Sequence, residues 1–145
     1  MPDSTYDPKI YRKQGGAELV IASGGKITQE AGGSVVRPVA IKTANYTVLA
    51  SESGTIFIAN AADLVFTLPA TAAGLVFTFI NAAVSAATGL SVSPQAADNI
   101  NEGVDNKDLI NSGATDVLGD AVTVVGDGVT GWFTMGKIGT WAAES

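Results

Sequence analysis

After Leu64 no charged residue appears until Asp98, and this run starts inside the most aromatic part of the chain, TIFIANAADLVFTLPATAAGLVFTFIN from Thr55 to Asn81. Such a gap in charge belongs to a buried or a membrane-embedded segment. A spanning helix needs about 20 mostly apolar residues in succession, and this run is interrupted by Pro69, Gly74, Asn81 and Gly89. Its large side chains also keep the wrong period for a helix. Leu64, Phe66 and Leu68 alternate with Val65 and Thr67, and Leu75, Phe77 and Phe79 alternate with Val76, Thr78 and Ile80. A repeat of two sends successive side chains to opposite faces, so two strands are expected, each with a large apolar face. Pro69 and Gly74 bracket Ala-Thr-Ala-Ala between them, which suits a loop and turn. The expectation is a hairpin at the centre of an all-β domain, a compact β-barrel or β-sandwich. Phe66, Phe77, Phe79 and Trp132 are its expected core, and no membrane partner is expected.

Seventeen glycines, with many Ala, Thr, Ser and Val, also suit turns and strands better than helices. At 145 residues, 46% hydrophobic and 15% charged, the chain can bury one core beneath a lightly charged surface. It contains no cysteine and no histidine. That removes disulfides, thiolate metal sites, the commonest general base and the commonest transition-metal ligand together. Charge is unevenly spread. Residues 1–42 hold six basic and four acidic side chains, net +2, whereas the remainder holds two basic and ten acidic ones, net −8. A slightly basic front on an acidic body points to two parts with different partners. The acidic body argues against nucleic acid as a partner, since that needs a cationic surface.

Residues 1–14 read as an unpatterned, extended arm, with Tyr6, Ile10 and Tyr11 able to dock on another surface; no apolar run follows its charges, so no secretion signal is expected. Residues 15–42 read as a small glycine-patterned β segment and linker. Gly15-Gly16, Gly24-Gly25 and Gly32-Gly33 each precede a short strand-like run, fitting a meander or one to two rungs of a solenoid-like layer that needs neighbours. Arg37 to Lys42 (RPVAIK) reads as the linker itself. Residues 43–145 form the β-rich body, with a strand at Tyr46 and a loop over Ala82 to Gly89. A long polar surface excursion is expected from Gln95 to Gly113. A closing meander then runs through Ala121–Val125, a turn at Gly126-Asp127-Gly128, Trp132–Met135, a turn at Gly136-Lys137 and Ile138–Trp141.

No catalytic set stands out. The excursion's ADNINEGVDNKD invites a calcium-loop reading, but counting from Asp98 puts Ile100 at position three and Leu109 at position twelve, where oxygen ligands belong. Asp98, Glu102, Asp105 and Asp108 are dense and loop-borne, as solvated carboxylates are, and Gly126-Asp-Gly128 lacks the helix and lysine of a phosphate loop. Neither Lys107 nor Lys137 sits in a recognisable nucleophile motif. An enzyme and a cofactor are not expected.

Two groups of residues carry a resemblance. The front, YDPKIYRKQGGAELVIASGGKITQEAGGSVV, and the body segments TLPATAAGLVFTFIN, SPQAADNIN, GDAVTVVGDGVTGWF and GTW are similar to small structural proteins of tailed-bacteriophage heads, the capsid decoration (cement) and head-fibre-like proteins. The resemblance covers most of the chain and rests on glycine and aromatic placement. It implies a β-rich protein, often trimeric, on the outer surface of an assembled shell, with the major capsid protein and its own copies as partners. Tyr6, Ile10, Tyr11, Arg12 and Lys13 of the arm are then the expected shell contacts. The rival reading is a receptor- or carbohydrate-binding module of a phage head or tail fibre, holding a sugar between the 95–113 excursion and Trp132 or Trp141.

Overall fold

The computed structural model describes residues 10–16, 18–26, 31, 33, 36–84, 88–101 and 103–145. The chain separates into two compact units, Met1–Val36 and Arg37–Ser145. Among the described residues there are thirteen β-strands and a single three-residue 3-10 turn, Ala50–Glu52, so the protein is all-β.

In the first unit, β1 (Ile10–Arg12) and β2 (Leu19–Ile21) form an antiparallel hairpin with Ile10 opposite Ile21 and Arg12 opposite Leu19. The stretch expected as an unpatterned arm therefore ends in a strand. Gly15 and Gly16 make the turn with φ of 101° and 73°, a region that side chains resist. Gly24 has φ 78° in the turn that follows β2. Gly32, of the third glycine pair, lies outside the described residues, as does Tyr6.

The second unit is two facing sheets. One holds β3 (Val39–Lys42), β5 (Ile56–Ala59), β7 (Val76–Asn81), β11 (Ala121–Gly126), β12 (Gly131–Ile138) and β9 (Asn99–Ile100), in that spatial order. The other holds β13 (Trp141–Ala143), β10 (Leu109–Ser112), β8 (Gly89–Ser93), β6 (Val65–Thr67) and β4 (Tyr46–Thr47). From β3 to β8 the chain crosses from one sheet to the other at every step. Within each sheet the pairings are parallel: β3 with β5 and β5 with β7, β4 with β6 and β6 with β8. Parallel neighbours need a long crossover; here each crossover is a strand of the opposite sheet, so three solenoid turns are wound in succession. Solenoid winding, one of the two patterns considered for residues 15–36, is the winding of these body strands. Antiparallel pairing takes over at β10, β11, β12 and β13, with β9 alone added in parallel to β12.

This winding replaces the expected central hairpin. β6 and β7 lie in different sheets and face each other across the core, with the Phe66 and Phe79 rings 4.9 Å apart. Phe57 bridges them, 5.6 Å from each. Alternation reports that a strand buries one face; it carries no information on whether its neighbour in sequence lies beside it or opposite. Phe66, Phe77, Phe79 and Trp132 are all fully buried, with Phe77 5.7 Å from the Trp132 ring. The Trp132 indole N–H is buried without an acceptor among the described residues.

Three further expectations change. Val39–Lys42 is not linker but β3, the edge strand of the first coil. Its Lys42 ammonium lies 3.2 Å from the centre of the Tyr46 ring and 5.9 Å from that of Phe57, closing the end of the aromatic core with a cation–π contact. The polar 95–113 excursion contributes Ile100 and Leu109 to the core and supplies strands to both sheets. Finally, β12 runs on through Gly136-Lys137, because a bulge opposite Thr123 and Val124 absorbs the extra residue. The turn comes at Gly139 (φ 84°), and β13 departs to pair with β10 rather than closing a meander.

Candidate interaction surface

Buried Asn81, Asn111 and Asp120 are tied into one hydrogen-bond network. Asn81 Nδ2 donates to Asn111 Oδ1 (2.9 Å) and Asp116 Oδ2 (3.1 Å), while Asn111 Nδ2 donates to Asp120 Oδ2 and to the Thr140 carbonyl, both at 2.9 Å. Asp120 Oδ2 also accepts the Val117 N–H. This buried network ties β7, β10, the entry to β11 and the β12–β13 turn together, and satisfied members make it rigid. Asp98 is buried and accepts the Thr71 N–H, Asp105 is exposed beside Asn99, and the Asp108 backbone N–H donates to Glu144 Oε2. Glu102 lies outside the described residues. Among the described residues no group of three or more acidic side chains converges as metal ligands would.

Asp127, in the β11–β12 turn, shows what the GDG sequence builds. Its Oδ1 accepts the N–H groups of Val129 (2.8 Å), Thr130 (3.0 Å) and Gly131 (2.9 Å), and its Oδ2 accepts the Thr130 hydroxyl at 2.7 Å. Donors aimed at the ionised form, those of Val129 and Gly131 foremost, hold its carboxyl far below the usual carboxylate range.

Both tryptophans are inside: Trp132 is fully buried and Trp141 is 6% exposed, its Nε1 donating to the Ile138 carbonyl at 3.0 Å. Neither offers an open ring face for a sugar. Trp141 does line a cavity of about 380 Å³, together with Ile100, Val104, Lys107, Lys137 and Glu144. Lys107 and Lys137 are the only two basic residues after Lys42.

Two exposed surfaces remain. The first is the β1–β2 hairpin, where Ile10, Tyr11, Leu19 and Ile21 are each more than two-fifths exposed. Opposite residues of an antiparallel pair share a face, so Ile10, Ile21, Arg12 and Leu19 stand on one side and Tyr11 with Val20 on the other. Lys13 joins Glu18 across the turn at 2.7 Å, and this hydrogen-bonded partner raises its pKa. Ile10, Tyr11, Arg12 and Lys13 thus lie together on one small element.

The second surface is the outer side of the six-stranded sheet. Register places Val39, Ile56, Thr78, Thr123 and Gly136 in one row, and Ile41, Ile58, Ile80, Ala121 and Ile138 in the next. Val76, Val125 and Phe133 begin a third. Thr78 and Thr123 are the polar members of these rows, and their hydroxyls bond each other at 3.0 Å. The outer side of the five-stranded sheet is different, with Thr47, Thr67 and Ser93 in one row and Ser91 between Val65 and Ile110 in another. The signal for the apolar outer face of the six-stranded sheet is present in the sequence. IFIA and VFTFI are apolar at both alternations, as strands covered on both sides are. No protein-family model and no curated protein sequence matches the chain.

Proposed function

We propose that this chain is a structural virion protein that binds the outer surface of an assembled phage capsid, as a homotrimer, and reinforces it. It would be made in the host cytoplasm and act on the virion, with the major capsid protein as partner. The observation that carries this reading is the exposed hairpin. A lone two-stranded sheet is marginal in water, and this one leaves Ile10, Tyr11, Leu19 and Ile21 open to solvent. Such an element is completed by a surface that covers it, by side-chain contact and by main-chain pairing along a free strand edge. Arg12 adds a cation on a segment of net positive charge, suited to an acidic shell exterior. The resemblance to decoration proteins supplies the identity of that surface.

The test is co-sedimentation with undecorated heads of the phage that encodes the chain. Deleting residues 1–14, or substituting Ile10→Ser with Tyr11→Ser, should weaken binding at least tenfold while the body's circular dichroism and unfolding stay unchanged. Unchanged binding by both variants would remove the hairpin from the mechanism.

The cavity beside Trp141 favours a second reading, carbohydrate binding, because Lys107, Lys137 and Glu144 line it together with apolar Ile100, Val104 and Leu109. Glycan-array binding lost in Lys137→Ala, with shell binding intact, would favour it.

A further inference from the structure

We infer that the cavity beside Trp141 takes a small carboxylate-bearing ligand, with Lys137 as the cation that meets the carboxylate. The inference builds on the second reading above, adds the charge class of the ligand, and is independent of shell binding. Residues 43–145 carry two basic and ten acidic side chains. Both basic ones, Lys107 and Lys137, line this one cavity of about 380 Å³, although they are far apart in the chain. That volume is in the range of small-molecule sites. Elsewhere on a body of net charge −8 an anion meets repulsion.

The two lysines are not equivalent. Lys107 Nζ donates to the Ser145 carbonyl at 3.0 Å and lies 4.0 Å from Glu144 Oε2, so its charge is already answered. Lys137 is exposed and has no hydrogen bond or ion pair from its side chain among the described residues. It stands opposite the buried Val122 across the β11–β12 pair. Opposite residues share a face, so Lys137 projects on the core side of β12. The hollow that it also borders on the outer face, with Thr78 and Thr123, holds no other charged side chain. Asp108 also lines the cavity, half-buried, its carboxylate without a partner among the described residues. Like charge directs a ligand carboxylate away from it, and its oxygens suit a ligand hydroxyl. Ile100, Leu109 and Trp141 are buried members of the core and supply apolar lining. The matching ligand is a carboxylate on a compact body, either a uronic acid residue of a glycan or a free organic acid of similar size.

The test is an NMR titration of the isotope-labelled full chain with methyl β-glucuronide, its neutral counterpart methyl β-glucoside, and cyclohexanecarboxylate. The Trp141 indole N–H is the reporter and that of the fully buried Trp132 the internal reference. The glucuronide should move the Trp141 signal and bind about fivefold more tightly than the glucoside, the size an exposed ion pair confers. Lys137→Ala should remove that preference, Lys137→Arg should keep it, and both should retain the parent circular dichroism. Lys26→Ala, an equal loss of charge in the first unit, should leave the preference unchanged. Cyclohexanecarboxylate bound as tightly as the glucuronide identifies a free organic acid as the ligand; weaker binding identifies an acidic glycan. Equal affinity for glucuronide and glucoside overturns the carboxylate inference and leaves the carbohydrate reading standing. A preference that survives Lys137→Ala overturns the role of Lys137. A Trp141 signal that none of the three probes moves overturns both readings of the cavity.

Discussion

Gly139 sits at the β12–β13 turn with φ 84°, and a Cβ there would overlap the Asp120 carboxyl that accepts from Asn111 and Val117. Substitution forces both backbone strain and displacement of a buried acceptor. Gly139→Ala should cost about 2 kcal/mol or more, read as a lower urea midpoint. Gly136→Ala, with open space around it, should stay within about 0.5 kcal/mol. Asp127 makes a second prediction at this scale. Its folded pKa lies below the ordinary 3.8, so the stability it adds is present above about pH 4 and is lost as pH falls through the folded value. Asp127→Ala should lower the thermal midpoint at pH 7. The gap between variant and parent should narrow below pH 4 as acid protonates the parent; a gap constant with pH would count against this account. The turn itself was legible in Gly126-Asp127-Gly128; that the aspartate's carboxylate gathers three N–H groups is a matter of geometry.

Between elements, the decisive contact is the one that crosses the core. Phe66 on β6 and Phe79 on β7 are fully buried with rings 4.9 Å apart, from opposite sheets. Each Phe→Ala change should cost about 3–5 kcal/mol by denaturant unfolding. Their double-mutant cycle should show a coupling of about 0.5–1.5 kcal/mol from the tilted ring pair. In a β6–β7 hairpin turning at Pro69–Gly74, Phe66 would pair with Phe77 rather than meet Phe79 face to face, so absence of coupling between Phe66 and Phe79 would contradict the cross-core arrangement. The Pro69–Gly74 segment was read correctly as a loop. Its span was not legible, because the same breakers serve a hairpin turn and a crossover between sheets about 10 Å apart.

At the scale of the molecule, the described residues of the core all lie within Arg37–Ser145, with Ala40 of β3 packed against them. The front contributes none of these described core residues, so removing residues 1–36 should leave the body's unfolding free energy within about 0.5 kcal/mol. A larger loss, measured in urea, would show that the front stabilises the body. The polar excursion belongs here as well. Ile100 and the Leu109-Ile110 pair stand in the sequence among Asp, Asn and Gly. Only the fold shows that β9 and β10 carry them into the two sheets from opposite sides of one loop.

The sequence by itself determined what each short segment prefers: period-two alternation for strands, paired glycines and Gly126-Asp127-Gly128 for turns, and alternate positions Phe66, Phe77 and Phe79 for a buried face. These are local properties, set by side-chain direction and backbone sterics within a few residues. Which strands are neighbours was decided by tertiary structure alone, because parallel solenoid turns and antiparallel hairpins satisfy the same alternation. The same holds for the apolar outer face. Ile41, Ile58, Ile80, Ala121 and Ile138 are scattered along the chain, and only the register of five strands brings them into one row.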